Sequence, residues 1–497
     1  MDLNVIIVIL YLLAMLAFGW WGKRRTKNAS DYLVAGRRLG PFLYTGTMSA
    51  LVLGGASTVG GVALGFEFGI SGMWLVIAIA CGVLAISLFF AGTIQKLKIF
   101  TVSQMLTLRY GARSTETSSM VMLGYTLMLS VTSTTAYATI FTVLFDIDRF
   151  WGVLIGGGIV VIYSSIGGMW SITLADIVQF GLMTIGLFAL MLPFTWNAAG
   201  GYQGIVDRLG QTAFDPAAIG MQTIITFFVI YTLGLLIGQD IWQRVFTARS
   251  PRVARWGGAA AGVYCMFYGV AGALIGTAAA SFMTGIENSD AVYAAVAQNI
   301  LPVGLGGVVL AAGVAAMMST ASGALIASAT VARADVVPLV ASWFGRKPSE
   351  DYTKQNHESD VRGNRWFVLG LGLVVVLLAA VIEDVVTALT IAYDILVGGL
   401  LVAILGGLFW KRGTGYGAAA SMAAGVVTTL VTMVVVGDVL ANEPIYYGLG
   451  ASLVVYIVVS LITKPTPKPI MAAWERRVAG QYTEEEAEPA GAGTGSK

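Results

Sequence analysis

Hydroxyl side chains cluster in the stretch 315–324, which reads Ala-Ala-Met-Met-Ser-Thr-Ala-Ser-Gly-Ala. Ser319 and Ser322 are three residues apart and share one face of a helix, and Thr320 lies beside them. Sodium is a hard cation, so several hydroxyl and backbone carbonyl oxygens can hold it together. The alternative is that each hydroxyl bonds to its own helix or to a neighbouring one, which is the commoner role of a single serine.

Four acidic residues lie within or at the edges of apolar segments: Glu67, Asp176, Asp240 and Asp394. A charge at the centre of a membrane helix costs roughly 2.5–3.5 kcal/mol on insertion scales, so such residues are functional candidates by default. Asp394 is the deepest of the four, and Glu67 is expected at the outer mouth, where water solvates it. Asp240 precedes Arg244 by four residues, so a helix ion pair is the alternative role for it.

Two glycine pairs, Gly54-Gly55 and Gly60-Gly61, interrupt an apolar segment of about residues 41–66 that is long enough to cross a bilayer. Glycine weakens a helix interior, so we expect the helix to break at mid-membrane and to line an ion or solute site. Close helix packing is the alternative, because small residues also let membrane helices approach. A second interruption follows in 234–244, and paired interruptions are typical of transporter binding sites.

The composition indicates a membrane protein made of α-helices. Of the 497 residues, 57% are hydrophobic and 11% are charged, and the mean hydropathy is +0.80. The apolar runs are too long for barrel strands. A net charge of +2 without a basic patch gives no indication of a nucleic-acid partner. Cys81 and Cys265 lie in apolar runs and the single histidine, His357, lies in a polar loop, which argues against a disulfide framework, a metal centre or histidine-based catalysis.

The hydropathy pattern predicts thirteen spans, at about residues 3–21, 41–66, 70–94, 117–145, 150–168, 174–197, 220–243, 257–283, 303–331, 366–383, 386–410, 415–436 and 445–463. Alternate loops, beginning with 22–40 and ending with the C-terminal tail, contain 27 of the 29 Lys and Arg residues. The positive-inside rule therefore predicts a cytoplasmic C-terminus and an outer N-terminus. The first span lacks a basic n-region and a cleavage site, so we expect a retained helix rather than a signal peptide.

The spans suggest two five-helix blocks of opposite orientation, each opening with an interrupted helix. The predicted organisation is an extra helix and a cytoplasmic loop in 1–40, and a ten-helix core in 41–410 with repeats 41–199 and 220–410. Two further helices in 411–463 and a cytoplasmic tail in 464–497 complete the chain. The loop 342–365 is polar, and the tail contains a short helix at 471–478 before a disordered end.

Three motifs together make the chain resemble the sodium/solute symporter family over roughly residues 25–465. They are a Gly-Gly … Asp-x-x-Gln stretch at 167–179, a Gln-Arg … Ala-Arg-Ser stretch at 243–250, and Met-Ser-Thr-Ala-Ser at 318–322. The resemblance implies a LeuT-type five-plus-five inverted repeat with one helix before it and two after it. It also implies co-transported sodium, held by the backbone or hydroxyl oxygens of Ala56, Val59, Ala316, Ser319 and Thr320.

Some family members have a second sodium site, which on this chain would use Asp176, Ser319 and Ser322. Gly323 stands where the resemblance implies a further hydroxyl, so this site lacks one ligand. The sequence 56–61 is similar to that of choline-transporting members. Thr58 and Gly238, however, stand where those members would have the aromatic side chains that surround choline. Choline is therefore disfavoured, because a quaternary ammonium group is held by an aromatic cage.

These observations predict a sodium-coupled symporter of a small polar organic solute in the cytoplasmic membrane, with lipid around it and no obligate protein partner. We expect a cationic or zwitterionic solute, lying between the breaks of spans two and seven against Ser57, Thr58, Tyr137, Gln239, Asp240, Trp242, Tyr393 and Asp394. The alternatives are proton coupling through Asp176 or Asp394, a channel, and a membrane sensor. The sequence has no His, Ser-His or metal-ligating cluster at membrane depth, so an enzyme within the membrane is not expected.

Overall fold

The computed structural model describes residues 3–111, 113–344, 358–382, 384–439 and 441–481. The first half contains helices α1 to α11: Leu3–Arg25, Ala29–Val34, Pro41–Val52, Gly61–Phe68, Trp74–Ala85, Ala91–Lys96, Val102–Tyr110, Arg113–Phe145, Arg149–Thr184, Leu192–Ala198 and Gly201–Leu209. Helices α12 to α23 follow: Met221–Phe227, Leu233–Leu235, Gln239–Thr247, Pro251–Ala280, Val292–Asn299, Leu305–Val331, Val337–Trp343, Glu358–Val381, Val385–Phe409, Gly415–Val436, Glu443–Ile462 and Lys468–Ala479.

Several of these helices continue through π-helical turns, and short 3-10 helices lie between others. The π-helical turns span Ala56–Gly60, Ile86–Phe90, Ile185–Met191, Phe228–Thr232 and Ala332–Val336. The 3-10 helices span Ala35–Arg37, Gly69–Met73, Gln211–Phe214 and Ser289–Ala291. Turns of this kind inside helices are frequent at functional sites, and one of them directly follows the break predicted in the second span.

The bundle is apolar both inside and outside, which confirms an all-α membrane protein. In the most apolar window of the segment Leu305–Trp343 every residue is buried, so α17 lies at the centre of the bundle. Only 28% of the corresponding windows of α21 and α22 is buried, and side chains such as Leu453 and Val454 face outward. An apolar outer surface of this kind suits a helix surrounded by lipid.

Nine helical segments of the described chain are long and apolar enough to cross a membrane, or ten if the bent pair α12–α14 forms one span. Two of the nine, Ala56–Lys96 and Arg149–Ala198, contain 41 and 50 residues. At about 1.5 Å per residue, each is roughly twice as long as one crossing requires. Gly69 and Gly168 interrupt them with φ of 65° and 59°. The total of thirteen spans stays a prediction.

Both predicted helix interruptions are present. Helix α3 ends at Val52, Leu53 has φ −89° and ψ 62°, and helix resumes at Gly55. In the second, α13 ends at Leu235 and α14 begins at Gln239, at an angle of 46° to the preceding helix. The break thus falls at the first glycine pair only.

The second glycine pair lies within continuous helix, with Gly60 at the end of the π-helical turn and Gly61 at the start of α4. Gly60 and Gly61 have φ −63° and −64°, in the right-handed helical region. The expectation that this pair also permits non-helical backbone is therefore wrong. Glycine alone does not break a helix whose backbone hydrogen bonds and packing continue through it.

The first part of the C-terminal segment folds back as helix α23, which includes the predicted helix 471–478. Trp474 is buried, and Arg477 Nε donates a hydrogen bond of 3.0 Å to the carbonyl of Leu97. This contact ties α23 to the segment between α6 and α7. The predicted disordered end from 482, and most of the predicted polar loop with His357, lie outside the described residues.

Candidate functional site

A cavity of about 30 Å³ lies where the two helix breaks meet. Such a volume holds one or two water molecules. It is lined by the first break (Leu51, Val52, Gly54, Gly55, Ala56 and Ser57), the second break (Leu235, Asp240 and Ile241), and Ile79, Leu129, Thr132, Ser133, Thr320, Leu389 and Tyr393. Of the residues predicted to contact the solute, the structure brings three together here, namely Ser57, Asp240 and Tyr393.

Asp240 places a carboxyl group in this cavity. It lies in the first turn of α14, where the unpaired backbone N–H groups favour negative charge. The Tyr125 hydroxyl donates a hydrogen bond of 2.9 Å to Asp240 Oδ1. A Cβ atom at Gly238 would lie 2.9 Å from that same oxygen, so the glycine keeps the approach open. Arg244 forms its ion pair with Asp176 rather than with Asp240.

Three tyrosines form an aromatic wall beside Asp240. The ring of Tyr393 lies edge-on to those of Tyr125 and Tyr231, at 5.4 Å between centroids in both pairs. Sequence reasoning missed Tyr125 and Tyr231. A signal for Tyr125 was present, because 125, 129, 132 and 133 follow the i, i+4, i+7, i+8 pattern of one helix face.

Two predicted solute contacts at the breaks have other roles. The Thr58 hydroxyl lies 3.1 Å from the hydroxyl of Tyr268 on α15, and is turned away from the cavity. Trp242 Nε1 donates a hydrogen bond of 2.8 Å to the carbonyl of Leu236, so the indole caps the second break. Neither residue lines the cavity.

Gln239 and Tyr137 are also outside the cavity. The Gln239 amide accepts from Val102 N–H and donates to the carbonyl of Phe100, each at 2.8 Å, and so fixes α14 to the start of α7. Tyr137 packs against α9, where a Cβ atom at Gly156 would lie 2.5 Å from its ring. In this structure neither residue lines the cavity, so contact with the solute stays a prediction for both.

Asp394 does not line the cavity either, although it is completely buried. Neither of its carboxyl oxygens has a hydrogen-bond partner among the described residues. Tyr393 and Asp394 are consecutive and point about 100° apart on α20, so only one of them can face the cavity.

The proposed sodium ligands come from the first break and from α17, and the structure brings these two elements into contact. A Cβ atom at Gly54 would lie 2.5 Å from Thr320 Oγ1. Thr320 Oγ1 donates to the carbonyl of Leu51 at 2.5 Å. Ala56 and Val59 are buried in the turn after the break, and Ala316 is buried one turn before Thr320. The ligand set itself stays a prediction.

Asp176 lies beside this set and has three donors. Ser319 Oγ donates to its Oδ1 at 2.6 Å, and Arg244 Nη2 donates to its Oδ2 at 3.0 Å. The Thr47 hydroxyl also donates to Oδ2. The carboxylate therefore joins α3, α9, α14 and α17. Ser322 donates within its own helix, to the carbonyl of Ser319 at 3.0 Å.

The carboxyl group of Asp290 lies outside the predicted membrane spans, in the 3-10 helix Ser289–Ala291. Burial raises the pKa of Asp290 to about 6 from its usual 3.8; the nearby carboxylates of Asp384 and Glu67 add to this, and the Val385 N–H opposes it. The pKa in the folded protein is the higher one. The packing around Asp290 is therefore most stable below pH 4 and loses stability as pH rises through about 6.

Replacing this carboxyl is expected to remove that loss of stability. At pH 7.5 the free energy of unfolding of Asp290→Asn should exceed that of the wild type by an amount on the order of 2 kcal/mol. The variant should therefore unfold at a higher temperature. The difference should shrink toward pH 4.5. Thermal unfolding in detergent across this pH range measures it, with the exposed Asp207→Asn as the matched control. If the difference in unfolding free energy between the variant and the wild type were the same at pH 4.5 and 7.5, the raised pKa of Asp290 would be contradicted.

The comparisons with known proteins give one family. The family model described as "Sodium:solute symporter family" matches residues 32–425. The osmoregulated proline transporter OpuE of Bacillus subtilis is 26% identical, over 94% of this chain and 96% of that protein. A sodium/proline symporter of Staphylococcus aureus is 24% identical, over 92% of each chain.

Solved structures share the fold. A Na⁺-coupled sialic acid symporter in a substrate-bound outward-open state superposes with a TM-score of 0.78 at 18% identity, over 94% of this chain and 99% of the other. The nucleobase-cation-symport transporter Mhp1 in a closed conformation gives 0.53 at 15% identity, over 91% and 99%. At these identities the likeness concerns the fold alone, and it confirms the transporter fold expected from the sequence.

Proposed function

Because this chain belongs to the sodium:solute symporter family, we propose that it carries a small zwitterionic solute together with sodium by alternating access across the cytoplasmic membrane. Membership makes the protein a membrane transporter rather than an enzyme, and makes sodium its co-transported ion. It also favours a symporter over the channel and the sensor that composition left open. The solute and its site are the parts that remain to be proposed.

The observation that carries the proposal is the Asp240 carboxyl in the cavity between the two breaks. Half-helix ends at mid-membrane are where transporters of this construction bind their solutes. A carboxylate there complements an amine, and the Tyr393 ring beside it suits a cationic or apolar group. Among the described lining residues there is no Lys or Arg.

The opposite end of a zwitterion has a partner as well. The helix that resumes at Gly55 has first-turn N–H groups without acceptors in its own helix. Ser57 lines the same cavity, and its hydroxyl donates to the carbonyl of Val52 at 3.2 Å. Such a helix start binds a carboxylate. An amino acid with a compact apolar body carries a group to match each end, although the cavity of about 30 Å³ must widen to admit it. Proline, the solute named for two relatives, is the first to test.

The test is uptake into proteoliposomes that contain the purified protein. A panel of radiolabelled solutes, with proline, an amine without a carboxylate and an acid without an amine, is offered with an inward sodium gradient. Potassium replaces sodium in the control. We expect accumulation of the zwitterion with sodium only. Uptake restricted to acids that lack an amine would overturn the assignment of Asp240.

The orientation is a proposal too, with the N-terminus outside and the C-terminus in the cytoplasm. The asymmetry of Lys and Arg supports it. At the predicted cytoplasmic end of α1, the guanidinium of Arg24 lies 4.0 Å from the Trp20 ring centroid, and Arg25 lies 4.5 Å from that of Trp21. Exposed tryptophans with stacked arginines suit the interface of a membrane with its lipid head groups.

The Asp240 carboxyl gives a further prediction. Asp240→Asn should raise the KM for the zwitterion by tenfold or more, because the amine loses its charged partner, whereas the sodium concentration for half-maximal uptake should change little. Tyr125→Phe removes the hydrogen bond to Asp240 but not the charge, so its effect should be smaller. Kinetics of both variants measure this. An unchanged KM in Asp240→Asn contradicts the proposed solute site.

A further inference from the structure

A second cavity lies at the ends of α4 and α15 that the proposed orientation places outside. Its volume is about 310 Å³, roughly ten times that of the cavity between the breaks. Small-molecule sites in proteins have volumes of about 300–1,000 Å³, so this cavity is large enough for a ligand. Its walls are the end of α4, the end of α15 and part of residues 201–220, here called the outer segment, which connect α10 to α12.

The outer segment is fixed in place by side chains at the start of α5 and just before it. Ser71 Oγ and Trp74 Nε1 both donate to the carbonyl of Pro216, at 3.1 and 2.6 Å. A Cβ atom at Gly69 would collide with the carbonyl oxygen of Ala213, so the two backbones approach closely there. The cavity is therefore formed before any ligand binds.

One carboxylate and two aromatic rings define what this cavity can bind. Of the described residues that line it, Glu67 alone carries a charge. Phe66 and Phe68 flank Glu67 in the sequence and line the same cavity. The one basic residue of the outer segment, Arg208, donates to the carbonyl of Ala199 at 3.4 Å and does not line the cavity. A carboxylate beside aromatic rings suits an ammonium group that carries an apolar body.

Other carboxylates act on the same rim. Burial raises the pKa of Asp290, and the carboxylates of Asp384 and Glu67 add to this shift. Glu67 therefore lies in a region of negative potential, which attracts a cation and repels an acid.

The cavity joins two elements that do not share a core. Helix α4 is the outer half of the first broken helix, and alternating access requires the elements around the breaks to move. The outer segment packs in an apolar cluster that is separate from the main core and contains Ala199, Ile205, Ala213 and Ala278. A few contacts rather than a common core thus hold the outer segment to α4, and a ligand bound between them would favour the conformation seen here.

We propose that this cavity is a regulatory site for an organic amine with an apolar body. The ammonium group pairs with the Glu67 carboxylate, the body lies against Phe66 and Phe68, and the bound amine holds α4 to the outer segment. Transport then slows although the solute site between the breaks stays free. The inference goes beyond the proposed function and relies on it only where transport is the readout.

Binding is tested first, on purified protein in detergent and without sodium. The probe is 2-phenylethylamine, and 3-phenylpropionate and 2-phenylethanol are the acidic and neutral controls. Titration calorimetry should show that the amine binds more tightly than either control, about fivefold more weakly to Glu67→Gln, and unchanged to Asp240→Asn. Equal binding to Glu67→Gln and wild type overturns the proposal. Loss of binding in Asp240→Asn also overturns it, because the amine would then occupy the cavity between the breaks.

Filling the cavity tests its position without changing a charge. Thr212 lines the cavity from the outer segment and is exposed, so Thr212→Trp should block the amine and leave the fold intact. Gln211→Trp is the matched control, because Gln211 is the exposed neighbour that does not line the cavity. If Thr212→Trp binds the amine as tightly as Gln211→Trp does, the proposed site is wrong.

Uptake into proteoliposomes then tests the regulatory role. The amine should lower the maximal rate of sodium-driven uptake of the solute that the panel identifies, with its KM unchanged. Glu67→Gln should transport at the wild-type rate and resist the amine. A raised KM with an unchanged maximal rate would show competition for the solute site, and would overturn the regulatory role. Should the panel show no sodium-driven uptake, the proposed function fails, and the binding measurements still decide whether this site exists.

Discussion

Gly55→Ala is expected to reduce transport at least tenfold, whereas Gly60→Ala, which adds the same methyl group five residues later, should leave it close to the wild type. A Cβ atom at Gly55 would lie 2.4 Å from the Cβ of Ala136 on α8, a contact that only a backbone shift can relieve. At Gly60 the nearest neighbour would be Val386 Cγ2 at 3.5 Å, an ordinary contact. The added methyl therefore separates the break from α8 at one position only.

Uptake rates and thermal unfolding of both variants measure this difference. The unfolding curves show whether Gly55→Ala still folds, since overpacking costs about 1–3 kcal/mol. Equal activity of the two variants would mean that the close approach of Gly55 to α8 is not needed for transport.

The second large effect is expected at the sodium site. Ser319→Ala combined with Thr320→Ala removes two proposed oxygen ligands and adds no bulk, so the sodium concentration for half-maximal uptake should rise at least tenfold. Ser328→Ala is the matched control, because Ser328 is a buried hydroxyl of the same helix that donates only to the carbonyl of Ala324, at 2.9 Å. Its loss should leave the sodium dependence unchanged.

Sodium titrations of solute uptake compare the two variants. The double variant also loses the hydrogen bonds to Asp176 and Leu51, so its unfolding temperature is measured alongside. A double variant with the sodium dependence of Ser328→Ala would contradict the proposed ligands.

The elements of the fold could be predicted from the sequence because their signals are long. A run of about 20 apolar residues can hardly be anything but a membrane helix, and the interruptions at Gly54 and Gly238 stand out within such runs. The exact position of a break is a finer property. Both positions are glycine pairs, so the sequence does not distinguish them. In the structure the first pair packs closely against Thr320 and Ala136, and the second pair has no contact as close among the described residues.

The contents of the cavity were harder to predict, because a hydropathy pattern gives the depth of a residue but not its direction around the helix. Gln239 and Asp240 are consecutive, as are Tyr393 and Asp394, and consecutive residues of a helix point about 100° apart. Both members of each pair were predicted to face the solute, and one member of each lines the cavity. The rotation of α14 is set by contacts far away in the sequence, such as that of Gln239 with Phe100.

The partner of Arg244 shows the same limit. A spacing of four residues made Asp240 a candidate partner, as the alternative to a solute contact, because a sequence displays only local pairs. Asp176, 68 residues away, is the observed one. Long-range pairing of buried charges follows from the packing of four helices, which no local pattern contains.

The central claim is that solute and sodium move together through the site between the breaks, and solute-driven sodium flux tests it most directly. Proteoliposomes with equal sodium on both sides and a trace of radioactive sodium outside receive an inward proline gradient, with the membrane potential clamped at zero. The account predicts that the proline gradient drives net sodium entry although the sodium concentrations on the two sides are equal. At a proline concentration below the wild-type KM, Asp240→Asn should reduce this flux tenfold or more. Proline entry without accompanying sodium, in protein that is folded and active, would contradict it.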